Sequence, residues 1–174
     1  MVTVGIDIGT TSVKAVAADA DGTVLARARV PHAINSPSPG TFEHDLDQAW
    51  RGGVLEALAQ VVEGAGAEVE AVNVSAMVPS LGAVDAEGRA LSPGLLYGDR
   101  RGASEANDPN EPGDNGEVEA FLGWLTAHAP DAAGYWPAQA VANHALTGIG
   151  AIDGTAAITA HPLHDYRDWD AERA

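Results

Sequence analysis

The stretch Gly5-Ile6-Asp7-Ile8-Gly9-Thr10-Thr11-Ser12-Val13-Lys14 decides the fold of this chain. An apolar run, residues 2–8, carries one acidic residue, Asp7, into a turn of glycine and hydroxyl residues. A second β-branched run leaves that turn, and runs of this kind are typical of strands. The pattern predicts two strands joined by a tight turn, residues 9–12, which we call the glycine turn.

The glycine turn has the composition of a phosphate-binding site. Gly9 can adopt a positive φ or let a ligand approach the backbone closely. We expect the peptide N–H groups and hydroxyls of Thr10, Thr11 and Ser12 to point into one concavity, an arrangement that binds phosphate oxygens. An ordinary β-hairpin with a Gly-Thr turn is the alternative.

Two charged residues flank the glycine turn. Burying an unpaired carboxylate in an apolar strand is expensive, so Asp7 needs a reason to be there. A carboxylate at a strand end can hold Mg²⁺, usually through water, and we predict that role for Asp7. Lys14 either neutralises phosphate charge or is a solvated strand residue.

The composition limits the classes of partner. The 174 residues favour one domain, and 45% of them are apolar, enough for a packed core. With 25 acidic and 9 basic residues the formal charge is −16, which argues against nucleic acid or an anionic membrane as a partner. The chain has no cysteine, no apolar run of about 18 residues and no signal-peptide pattern, so we expect a cytoplasmic protein.

The remaining pattern predicts a mixed sheet with flanking helices, an α/β fold. We predict strands at residues 2–8, 13–18, 23–31, 69–75, 81–84 and 90–96, with Asp-Gly and Glu-Gly hairpin turns. A helix capped by Asp45 or Asp47 precedes Gly64, with Trp50 in the core and His44 in its first turn without a special task. Further helices are predicted at residues 117–129, 137–146 and 155–159, the last capped by Asp153.

Two segments differ from this pattern. Residues 102–118 are acidic and almost without apolar side chains, which predicts an irregular loop. Residues 165–174 are mostly polar. The close histidine pair His161 and His164 lacks a third ligand at a suitable spacing, so we predict no zinc site there.

Four blocks in order resemble the N-terminal part of the FGGY carbohydrate kinases, the group that includes xylulokinase, glycerol kinase and gluconokinase. The first is the opening stretch, and the second is Gly-Thr-Phe-Glu-His-Asp at 40–45, before Trp50. The third covers residues 72–80 and 84–101, and the fourth covers 142–148 and 153–157. The resemblance includes nearly the whole chain except residues 102–118.

The resemblance implies an RNase H-like fold of the actin and sugar-kinase type, in which two domains flank a cleft for ATP and sugar. The chain, residues 1–174, then corresponds to an incomplete first domain. The reaction implied is transfer of the ATP γ-phosphoryl group to a sugar or polyol hydroxyl, with Mg²⁺ held by Asp7 and the phosphates held by Gly9, Thr10, Thr11, Ser12 and Lys14. The family's catalytic aspartate has no counterpart in this chain, so we assign no catalytic base.

The resemblance also implies substrate contacts. Met77, Val78 and Pro79 stand where the family often has Gln, Arg, Glu or His, so an apolar wall replaces the usual polar contacts. This departure indicates a substrate other than xylulose or glycerol, or a loss of activity, unless these side chains simply pack. Tyr97, Asp99 and Arg101 match the family's Trp-x-Asp-x-Arg region, with a surface ion pair as the alternative.

Other functional classes stay open from the sequence. A non-catalytic binding or assembly module could use the same half-fold. An ATPase-type activator of the same superfamily also begins with Gly-x-Asp-x-Gly, but such proteins commonly use cysteines for an iron–sulfur cluster. Self-association is a further expectation, driven by apolar surface and the aromatic residues Trp124, Tyr135, Trp136 and Trp169.

Overall fold

The computed structural model describes residues 1–101 and 116–159 of the chain. In these residues the strands are β1 (Val2–Ile8), β2 (Ser12–Asp19), β3 (Val24–Pro31), β4 (Glu43–His44), β5 (Ala71–Ala76), β6 (Ser80–Val84), β7 (Gly94–Leu96) and β8 (Gly134–Trp136). The helices are α1 (Gly53–Ala65), α2 (Gly116–His128), α3 (Ala138–Thr147) and α4 (Gly154–Ile158), and a π-helical turn, Asp47–Gly52, leads into α1.

The first sheet has the strand order β3-β2-β1-β5, with β1 antiparallel to β2 and parallel to β5. The side chains of β1 alternate, and one face buries Val2, Val4, Ile6 and Ile8. Helix α1 packs against β2 and β3 on this buried side. Asp7 and Lys14 lie on the opposite, exposed face, because a strand directs successive side chains to opposite sides.

The second sheet has the strand order β4-β7-β6-β8. Its central strands bury every residue, and α2 packs against β6. A second apolar cluster joins this sheet to α2 through Leu81, Ala83, Leu95, Phe121 and Leu125. The predicted mixed α/β architecture is confirmed, and its strands form two sheets.

The segment between β4 and α1 leads from the second sheet to the helix that packs against the first sheet. Asp45 Oδ1 accepts a hydrogen bond from Gln48 N at 2.9 Å, so Asp45 is the residue that caps the helical segment. Trp50 is fully buried, as predicted. His44 is not in the first helical turn: it lies in β4, paired with Gly94 of β7, and is 0% exposed.

Most predicted elements are confirmed, with shifts at their ends. The strand predicted at residues 90–96 begins only at Gly94, because Ser92 Oγ accepts from Ala83 N and Pro93 has no N–H to donate. Strands β4 and β8 were missed, since two and three residues are too short to show alternation. Asp153 caps α4 by accepting from Ala156 N, as predicted.

Several sequence predictions extend beyond the described residues. The acidic loop predicted at 102–118 lies outside them up to residue 115, and α2 begins at Gly116. The histidine pair at 161 and 164, Trp169 and the polar segment 165–174 also lie outside. Within the described ranges, no helix is both long and apolar enough to cross a bilayer.

Candidate functional site

The glycine turn connects β1 to β2, and three of its four carbonyl groups are hydrogen-bonded to the protein. Gly9 N donates to Ser12 O at 3.1 Å, and His32 N donates to Thr11 O at 3.1 Å. The Thr10 carbonyl lies 2.9 Å from His44 Nε2. These three hydrogen bonds hold the turn in one conformation.

Asp7 and Lys14 lie directly opposite each other on β1 and β2. Lys14 Nζ is 3.3 Å from Asp7 Oδ2, and their side chains are 55% and 52% exposed. The cost of burying a carboxylate does not arise for Asp7, because β1 turns its odd-numbered residues to the open face. A Cβ atom at Gly9 would lie 3.5 Å from Lys14 Nζ and 3.6 Å from Asp7 Oδ2, so both charges border the space above Gly9.

The structure changes two details of the predicted phosphate site, the backbone conformation of Gly9 and the exposure of Ser12. Gly9 is not among the glycines with a positive φ, so of its two predicted uses only close approach of a ligand remains. The side chain of Ser12 is nearly fully buried, and its Oγ accepts a hydrogen bond from Arg29 Nε at 3.2 Å. A hydroxyl that accepts from Arg29 still has its own proton to donate.

An apolar pocket of about 340 Å³ adjoins the glycine turn. It is lined by Thr10, Ile34, Phe42, Leu96, Tyr97 and Gly98. The Thr10 hydroxyl and the Tyr97 hydroxyl are 3.0 Å apart, within hydrogen-bond distance. Tyr97 is 46% exposed, so its ring and hydroxyl form an accessible wall of a pocket whose size suits a small ligand.

Met77, Val78 and Pro79 follow β5 at the same edge of the first sheet. Met77 N donates to Ile8 O at 3.0 Å, which continues the parallel pairing of β5 with β1. Met77 packs against the main core, whereas Val78 is 37% exposed. The carboxyl ends of β1 and β5, where ligands bind in open α/β sheets, therefore carry both the glycine turn and this apolar segment.

Asp99 and Arg101 form a buried ion pair. Arg101 Nη2 donates to Asp99 Oδ2 at 2.7 Å, and Arg101 Nη1 donates to Glu43 Oε2 at 2.6 Å. The Asp99 side chain is 0% exposed and also accepts from Phe42 N at 2.6 Å. Burial works to raise the pKa of the Asp99 carboxyl, but the hydrogen bonds from Arg101 and Phe42 outweigh it and the pKa is lowered. These contacts fix the loop that carries Tyr97.

His44 is the residue of this site that the sequence analysis missed. Its Nδ1 accepts from Trp50 Nε1 at 3.0 Å, and its ring meets the His32 ring edge-on with centroids 4.4 Å apart. Burial lowers the pKa of His44 to about 4, so the ring is neutral near pH 7. The sequence offers one indication of this role in Trp50, six residues away. Trp50 is predicted to lie in the core, and the indole N–H of a buried tryptophan requires a hydrogen-bond acceptor.

The described residues contain no group of three or more histidine, aspartate or glutamate side chains arranged to hold a metal ion. One carboxylate, Asp7 of β1, borders the glycine turn. A metal bound there would need most of its ligands from water or from a phosphorylated ligand.

Comparisons with known proteins match these features. A model of the "FGGY family of carbohydrate kinases, N-terminal domain" matches residues 2–131. The chain is 33% identical over 146 residues to a xylulose kinase of Streptomyces coelicolor, covering 75% of this chain and 29% of that protein. It is 30% identical over 142 residues to a glycerol kinase of Gluconobacter oxydans, covering 73% of this chain and 28% of that protein.

A solved structure gives the same result for the fold. The crystal structure of xylulose kinase from Rhodospirillum rubrum superposes with a TM-score of 0.77 at 27% identity, covering 91% of this chain and 37% of that one. The match confirms the predicted sugar-kinase type of fold. The chain spans less than a third of the length of the curated relatives it matches.

Proposed function

The chain belongs to the FGGY family of carbohydrate kinases, and we propose that it supplies the phosphate-binding part of an enzyme that transfers the γ-phosphoryl group of ATP to a hydroxyl of a sugar or polyol. One observation carries the proposal. Asp7 and Lys14 border the space above Gly9, and the Thr10 hydroxyl of the same turn meets Tyr97 at the apolar pocket. Phosphates bound by the turn and an acceptor bound in the pocket would then both adjoin Thr10.

The residues beside the turn fit a magnesium ion bound mainly by water and phosphate oxygens. Mg²⁺ in phosphoryl-transfer sites usually takes only one or two carboxylates from the protein. Asp7 is an accessible carboxylate bordering the space above Gly9, and we propose that it holds the ion through water. The ion, when bound, would neutralise charge on the transferred phosphoryl group.

Lys14 is available to a phosphate because its present ion pair is weak. Exposed ion pairs contribute about 0–1 kcal/mol, so a nucleotide can separate Lys14 from Asp7 at little cost. We propose that Lys14 then contacts a phosphate oxygen, beside the N–H groups of Thr10, Thr11 and Ser12. Transfer of a phosphoryl group depends mainly on such positioning and charge neutralisation.

We propose that the acceptor binds against Tyr97, with Met77, Val78 and Pro79 as a further wall. An apolar wall favours a ligand that presents a C–H face to it over a ligand that presents hydroxyl groups. Asp99 and Arg101 would act by holding the Tyr97 loop, since both Asp99 oxygens are already bonded. We further propose that residues 1–174 form one partial N-terminal domain and that the reaction takes place in the cytoplasm, where ATP is abundant.

Titration of the ¹⁵N-labelled chain with ATP, with and without Mg²⁺, tests the phosphate site. We expect amide shifts centred on residues 7–14 and a dissociation constant of about 1 mM, about −4 kcal/mol, because the turn contacts only phosphates. Asp7→Asn should remove the effect of Mg²⁺, and Asp21→Asn, in an exposed hairpin turn, is the matched control. Shifts confined to other parts of the chain would reject the proposal.

Turnover is tested in a polypeptide that extends this sequence to the length of its relatives. Assayed with ATP against ketoses, polyols and aldonates, it should phosphorylate at least one of them, and Asp7→Asn should lower that rate severely while the protein stays folded. Silence across a broad panel would count against the kinase, and normal rates in the variant would reject the role of Asp7.

A further inference from the structure

The orientation of the Thr10–Thr11 peptide decides where one N–H of the glycine turn points. A trans peptide is planar, and its C=O and N–H groups point in opposite directions. The Thr10 carbonyl points at His44 Nε2, 2.9 Å away. The Thr11 N–H therefore points away from His44.

The hydrogen bonds of His44 determine which ring nitrogen carries the proton. The indole nitrogen of Trp50 is only a donor, so His44 Nδ1, 3.0 Å from it, must accept. The proton of the neutral ring is then on Nε2, which donates to the Thr10 carbonyl. The two hydrogen bonds therefore form a chain in which Trp50 donates to His44 and His44 donates to the turn.

His44 itself is held firmly. It is 0% exposed and pairs with Gly94 in the second sheet, while the glycine turn belongs to the first sheet. Trp50, which is also fully buried, fixes the ring from the opposite side. Movement of His44 would break contacts in both sheets.

We propose that His44 is a positioning residue of the phosphate site: its Nε2–H holds the Thr10 carbonyl so that the Thr11 N–H faces the bound phosphate. The inference rests on the proposed function of the glycine turn and deepens it. His44 does not touch the phosphate, and it acts through one peptide group.

Binding of tripolyphosphate, followed by amide shifts of the ¹⁵N-labelled chain, tests the role. His44→Met fills similar space without a hydrogen bond and should weaken binding at least about tenfold, or about 1.4 kcal/mol. His44→Gln keeps a donor and an acceptor and should stay within about threefold of the wild type. His128→Gln, at an exposed histidine, is the matched control and should change nothing.

The outcomes separate this inference from the proposed function. A wild type that ignores tripolyphosphate overturns both, whereas wild-type affinity in a folded His44→Met overturns only the role of His44. If His44→Met does not fold, the imidazole ¹⁵N shifts of the wild type at pH 7 decide the matter. An Nε2–H tautomer with scalar coupling to the Thr10 carbonyl supports the inference, and an Nδ1–H tautomer overturns it.

Discussion

The neutral, buried state of His44 makes a quantitative prediction about stability and pH. Burial lowers the pKa of His44 from 6.5 to about 4 in the folded protein, whereas the unfolded chain keeps the ordinary value. Between these two values the unfolded state binds more protons, so the free energy of unfolding must fall as the pH falls. The stabilisation is complete above pH 6.5 and is lost towards pH 4.

The size of the effect follows from the two pKa values. Each unit of difference is worth about 1.4 kcal/mol once both states are protonated, and at pH 5 about 2 kcal/mol of the loss should already be present. His44→Gln has no proton to gain at this site. Between pH 7.5 and pH 5 the wild type should therefore lose about 2 kcal/mol more unfolding free energy than the variant.

Urea unfolding of both proteins at several pH values measures this difference. The titratable group that faces His44 is His32, whose pKa is also lowered, mainly by burial. His32→Gln is the matched control, and it should keep most of the His44 effect. Equal pH dependence in the wild type and in His44→Gln would show that His44 titrates normally in the folded state, so burial would not lower its pKa.

Two further predictions concern packing and charge. Gly94→Ala should destabilise the protein by about 1–3 kcal/mol, because its Cβ would overlap the buried Trp50 ring, whereas Gly123→Ala, in open space within α2, should stabilise it by about 0.5–1 kcal/mol. Thermal unfolding of both variants checks the pair, and equal effects would contradict the packing. Asp99→Asn should cost about 1–3 kcal/mol, because it weakens the charge-assisted hydrogen bonds from Arg101 while the guanidinium keeps its second carboxylate partner; a loss below about 0.5 kcal/mol in urea unfolding would contradict the ion pair.

Much of the first sheet could be predicted because its signals are local. Strands β1, β2 and β3 follow one another with hairpin geometry, and Asp-Gly supplies the turn between β2 and β3. Helix α4 was found from its cap at Asp153. Alternation along β1 also indicates that Asp7 is exposed, since Val2, Val4, Ile6 and Ile8 define the buried side.

Half of the second sheet was predicted, because β6 and β7 overlap the strands expected at residues 81–84 and 90–96, but β4 and β8 could not be, because their pairings are distant in the chain. Strand β4 pairs with β7, about fifty residues away, and its two residues show no local strand pattern of their own. The burial of His44 and of Asp99 depends on that pairing. Side chains in such short polar segments look like surface residues in the sequence, and only the three-dimensional contacts supply their partners.

In the candidate site, too, the local parts could be predicted from the sequence and the contacts between distant parts could not. The residues of the glycine turn and the Tyr97 loop were identified from their sequence blocks, and the structure brings Thr10 and Tyr97 to 3.0 Å. Sequence reasoning treated these two blocks as separate contributions. It could not supply the link between them, since residue spacing carries no information on which loops meet in space.

Binding of a metal–nucleotide complex by the glycine turn, beside Asp7, can be measured with paramagnetic Mn²⁺ in place of Mg²⁺ and in the presence of ATP, because amide signals broaden steeply with proximity to the ion. We expect the strongest broadening at Asp7 and residues 9–12, and its loss in Asp7→Asn. Strongest broadening in the acidic groove lined by Glu43, Asp45 and Asp47, with residues 9–12 unaffected, would contradict binding at the turn.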